Sequence, residues 1–145
     1  MAILNYTTKI EATTTVGLIQ SILARAGAHQ VSVHYGTGGG VPTGVSFSVP
    51  VGPQHQLVFF QLPCNWEGVL KALRKSGAEK KYLTEAQAVR VAWRIIKDWC
   101  EAQLAIIEAG QAQLAEVFLP YAVTKEGPTL YRAIEAGNVP PLLLS

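Results

Sequence analysis

Arg90, Arg94 and Lys97 recur at i, i+4 and i+7, a spacing that puts two guanidiniums and an ammonium on one face of a helix. Such a row holds phosphates or carboxylates by charge and by the bidentate guanidinium fork. Lys80 and Lys81 stand just upstream, with Arg74 and Lys75 before them. Tyr82, Trp66 and the edges of Trp93 or Trp99 offer faces on which a base can stack. The candidate ligand-binding residues are therefore Arg90, Arg94, Lys97, Lys81 and Tyr82. The same charges have a competing internal use. Arg94 with Asp98 and Lys97 with Glu101 are i+4 pairs, each worth only tenths of a kcal/mol.

Other chemistries find little support. Gly36-Thr37-Gly38-Gly39-Gly40 has the bare backbone that can ring an anion, but it joins two strand-like runs and no Lys-Ser/Thr follows it. It reads as a hairpin loop. His29 and His34 lie five apart on one alternating run and so face opposite ways. With His55, Cys64 and Cys100 they make no metal-ligand spacing. Cys64 precedes a helix start at Asn65, where a helix dipole can lower a thiol pKa, although a half-buried structural cysteine between Pro63 and Trp66 is the commoner case. No nucleophile elbow, Cys/His pair or carboxylate pair is present. The expectation is a non-enzymatic protein with no catalytic residues, no metal and no cofactor.

Charge is unevenly placed along the chain. Net charge is +2 overall, but it is zero over residues 1–70, +6 over 71–97 and −4 over 98–145. The middle segment is a basic focus suited to an anionic ligand, nucleic acid or an acidic partner. With 49% hydrophobic and 15% charged residues, the chain is rich in apolar and poor in charged side chains for a monomer. No apolar run nears the ~20 residues that cross a bilayer, so no membrane partner is expected. The start has no signal-peptide pattern. The two unpaired cysteines suit a reducing compartment, and the expected location is cytoplasmic.

The elements that must position the basic row follow from periodicity and punctuation. Ile3 to Ile10 alternates and is Thr-rich, which predicts a first strand. Thr13 to Thr15 offer helix caps, and Val16, Ile19, Ile22, Leu23 and Ala26 recur at helical spacing up to Gly27. Gln30 to Tyr35, the run around Val45, Phe47 and Val49, and Leu57 to Leu62 predict three further strands. Ser32, His34, Ser46 and Ser48 then line a small, polar outer sheet face. Asn65 caps a helix over 66–75. Thr84, three before Gln87, opens a long helix, and a short helix over 129–136 follows Gly127-Pro128. The expected fold is α+β: a four-stranded antiparallel sheet in the order β-α-β-β-β-α-α-α, one domain over 1–137 and a tail over 138–145.

The long helix is predicted over 84–119, about 54 Å at 1.5 Å per residue. Val89, Trp93, Ile96, Cys100, Ile107, Leu114 and Phe118 form one apolar stripe. Val91, Ile95, Trp99, Ala102 and Ile106 form a second. A helix apolar on two faces must be covered on both. The second stripe is therefore the expected interface of a homo-oligomer.

Five segments together, AILNYTTKI at 2–10, FQLPCNWEGVL at 60–70, AVRVAWRIIKDW at 88–99, EAQLAIIEAG at 101–110 and VFLPY at 117–121, resemble a family of small uncharacterised proteins of phages and mobile elements. The resemblance implies no catalytic residues. It implies a role by binding inside a bacterial host cell: sequestering an anionic small ligand such as a nucleotide signal, blocking a host protein in countering host defence, or acting as a nucleic-acid accessory in recombination or replication. The order α-β-β-β-α is also similar to the double-stranded-RNA-binding domain, a likeness of order alone.

Overall fold

A computed structural model describes all residues, Met1–Ser145, and shows an α+β domain with one three-stranded antiparallel sheet. Helix α1 (Ala12–Arg25) is followed by strands β1 (Gln30–Tyr35), β2 (Pro42–Val51) and β3 (Gln56–Gln61), then helices α2 (Trp66–Lys75), α3 (Glu85–Glu108), α4 (Leu114–Val117) and α5 (Leu130–Glu135). Strand order is β1-β2-β3. Val45 faces Val33, and Phe47 sits between Val31 and Phe60, so alternation along β2 puts these side chains on one face. The opposite face carries the expected small polar residues, with His34 Nε2 and Ser46 Oγ hydrogen-bonded at 2.8 Å.

Helix α1 lies on the apolar face of the sheet through Val16, Ile19 and Leu23, and α3 lies against α1. From α3, Val89, Trp93 and Cys100 enter the same core. The Trp93 indole N–H donates to the Pro42 carbonyl at 3.1 Å, satisfying the one polar atom of a fully buried side chain. Phe47 stacks on Phe60 at 5.0 Å and meets the edge of Phe118 at 5.6 Å.

The fourth strand is absent. Residues 4–7 turn, with the Thr8 N–H on the Asn5 carbonyl at 3.1 Å, and the segment runs along α3. Its backbone finds a side chain instead of a strand: the Gln87 amide donates to the carbonyls of Tyr6 at 2.8 Å and Thr8 at 3.0 Å. Thr13 to Thr15 lie inside α1; its N-cap is Glu11, which makes no side-chain cap bond.

The long helix is also shorter than its periodicity predicts. It spans 24 residues, about 36 Å at the standard rise. Gly110, at φ 74°, closes it with a Schellman pair: the Gly110 N–H reaches Ile107 O at 3.0 Å and the Gln111 N–H reaches Ile106 O at 3.1 Å. The chain then turns into α4, which with its C-cap Phe118 returns Leu114 and the Phe118 ring to the core. The second apolar face is covered in part by the chain itself. Helix α2 packs on α3, Val91 is fully buried within the chain, and Trp99 packs edge-on against Phe118 at 5.0 Å and Tyr121 at 5.4 Å. Of the remaining stripe, Ile95 and Ala102 are exposed and Ile106 is half-buried.

Candidate anion-binding site

The basic row on α3 is split into residues already satisfied and one that is not. Thr84 Oγ1 caps the helix by accepting from the Gln87 N–H at 3.2 Å. The Gln87 side chain leaves that cap and becomes a hub. Its amide N–H groups hold the N-terminal segment, and its Oε1 accepts from Arg90 Nη2 at 2.7 Å and Nε at 3.1 Å. Arg90 is thus tied to its own helix. Lys97 Nζ lies 2.9 Å from Glu101 Oε1 and 3.5 Å from Asp98 Oδ1. Lys81 lies outside the row, 3.7 Å from Glu79 and 5.1 Å from the centre of the Tyr82 ring; the Glu79 carboxylate first, then Tyr82, raise its pKa. Tyr82 meets the edge of Tyr6 at 5.5 Å, so it braces the N-terminal segment.

Arg94 differs from all of these. It retains 8% of its exposure, yet its guanidinium has no hydrogen bond and no ion pair within the chain. The pairing with Asp98 does not form, because Asp98 accepts from Asn5 Nδ2 at 2.8 Å and faces Lys97. The fully enclosed side-chain polar atoms that lack a partner are Thr15 Oγ1 and Ser48 Oγ, so the guanidinium nitrogens are not sealed in. They open onto a cavity of about 370 Å³ between α3 and the N-terminal segment. Arg94, Lys97 and Asp98 form one wall, and Asn5, Thr7, Thr8 and Ile10 the other. The Thr8 hydroxyl oxygen accepts from the Ile10 N–H at 3.2 Å, which leaves its own hydrogen free to donate. Thr7 offers a second hydroxyl. Guanidinium and hydroxyl donors around a polar space make a site for an oxyanion.

Of the five residues expected to bind ligand, the fold brings Arg94 and Lys97 to this cavity. Arg90 lines a different cavity of about 550 Å³ with Glu11 and Glu85, and Lys81 and Tyr82 line neither. Asn5, Thr7 and Thr8 are the residues that sequence reasoning missed. Their one local signal is a run of polar side chains inside what otherwise reads as a strand.

The other candidates lie apart from this cavity. The glycine loop is a hairpin turn between β1 and β2, with Gly39 and Gly40 at positive φ and no lysine at its tip. Burial pushes the Cys64 thiol up to about 12, the reverse of what a nucleophile needs, and does the same to Cys100. No three His, Cys, Asp or Glu side chains come together as a metal site. No helix is long and apolar enough to cross a membrane.

Fold and site together define an α+β domain with a small polar cavity against its longest helix. Comparison with protein-family models matched none, and searches of curated proteins and of solved structures returned no match.

Proposed function

We propose that this protein binds an anionic small ligand without chemical turnover, holding it between α3 and the N-terminal segment. One observation carries the reading: Arg94 is more than nine-tenths buried, unpartnered, and open to a polar cavity. Burial of a charge costs free energy unless a hydrogen bond or ion pair offsets it, and no side chain pairs with Arg94, whose exposure is confined to the cavity. A bound anion would. Sequestration of such a ligand is the biological use that fits the resemblance to phage and mobile-element proteins.

Nucleic-acid binding through the basic row is the weaker reading, because Arg90, Lys97 and Lys81 each have a partner within the chain. The two readings separate by salt. Contact with several phosphates weakens steeply as salt rises, whereas one charge in a pocket loses little. The direct test is thermal melting of wild type and Arg94→Met with small oxyanions and with single-stranded oligonucleotides. Anion-dependent stabilisation confined to the wild type supports the site, and equal stabilisation of both proteins excludes it.

A further inference from the structure

Resting on that reading, we infer that the cavity selects a singly charged oxyanion, a carboxylate or a phosphodiester, over a doubly charged phosphate monoester. The charges lining it are Arg94, Lys97 and Asp98. Lys97 already lies against two carboxylates, Glu101 at 2.9 Å and Asp98 at 3.5 Å. Asp98 in turn is held in place by Asn5 Nδ2 at 2.8 Å. Arg94 is the cation without an ion pair; the lining residues sum to +1, and Glu101, paired with Lys97 just outside the lining, brings the cluster to zero.

A two-oxygen anion can take two parallel N–H bonds from the Arg94 guanidinium, with Thr7 and Thr8 lining the same space. A second negative charge would find no free cation there and would face the Asp98 carboxylate. Stripping water from a dianion also costs more than from a monoanion. The N-terminal segment supplies the hydroxyl wall, so a bound anion bridges that segment to α3. This deepens its attachment beyond the two Gln87 hydrogen bonds.

The test uses four probes at pH 8 and low salt: acetate, dimethyl phosphate, methyl phosphate and sulfate. Binding is read from amide and arginine side-chain NMR shifts at Thr7, Thr8 and Arg94. Acetate or dimethyl phosphate should bind at least about threefold more tightly than methyl phosphate or sulfate. Which of the first two binds tells a carboxylate ligand from a phosphodiester. In Asp98→Asn the cavity gains one net positive charge, and the preference should swing toward methyl phosphate by about fivefold. Tighter binding of methyl phosphate or sulfate by the wild type overturns the inference while leaving the anion site standing. If none of the four probes shifts these residues, both are overturned.

Discussion

Arg94→Met separates a binding residue from a structural one, because the two roles move stability in opposite directions. Methionine is long and apolar and fills much of the same space, so the substitution chiefly removes a charge that has no partner in the chain. Full desolvation of an ion costs several kcal/mol, but the guanidinium still meets the wetted cavity, so relief of about 1 kcal/mol is expected in ligand-free buffer. For a chain of this size 1 kcal/mol moves Tm by about 3 °C. The variant should therefore melt about 3 °C above wild type when no anion is present. With a matching anion at a hundred times its Kd, the wild type gains about 2.7 kcal/mol, or about 8 °C, and the order reverses. The assay is a melting series by circular dichroism in a buffer without small oxyanions, with and without added anion. A loss of more than about 2 kcal/mol in Arg94→Met without ligand would refute the reasoning, since it would mean that the guanidinium holds the fold together.

Further outcomes test the scaffold around the site. Gln87→Ala leaves the Tyr6 and Thr8 carbonyls and the Arg90 guanidinium without their shared partner; it should cost about 1–3 kcal/mol and speed amide hydrogen exchange over 5–10. Gly110→Ala meets open space but keeps a φ of 74°, so denaturant titration should show a loss of about 1–2 kcal/mol from backbone strain alone. Phe118→Ala removes a fully buried ring touching Phe47 and Trp99 and should cost about 3–5 kcal/mol in the same titration. Burial raises both thiols from an ordinary 9.0 to about 12, so the folded chain keeps protons that the unfolded chain releases. Their contribution is whole below pH 9 and is lost as pH rises toward 12. Stability measured against pH should accordingly fall less steeply over that window in Cys64→Ala and Cys100→Ala than in wild type.

Local rules were sufficient at several single-residue signals, although not at Thr13 to Thr15, which lie inside α1. Asn65 accepts from the Gly68 N–H at 3.1 Å to open α2, Thr84 opens α3, and Thr129 opens α5. Alternation over Gln30 to Tyr35 marks β1, and β2 places Val45, Phe47 and Val49 on the core side. Each of these signals acts within a few residues, where sterics and a single hydrogen bond settle the outcome.

What local rules misread was settled by partners distant in the chain. The run from Ile3 to Ile10 has strand composition, but Gln87, some 80 positions away, takes its carbonyls and draws it along a helix. Apolar periodicity carried on past Gly110 because Leu114 and Phe118 serve the same core from a separate helix, and periodicity records burial without recording chain direction. The second apolar stripe of α3 read as wholly uncovered because sequence cannot show that α2 and the Leu119–Tyr121 turn fold back beside α3, where Val91 is buried and Trp99 meets Tyr121. The basic row shows the same division. Its spacing alone put Arg90, Arg94 and Lys97 on one face. Whether each charge is matched depends on Gln87, Glu101 and the placement of Asn5 beside Asp98, and the burial that leaves Arg94 unpaired and open only to the cavity exists only in the folded chain.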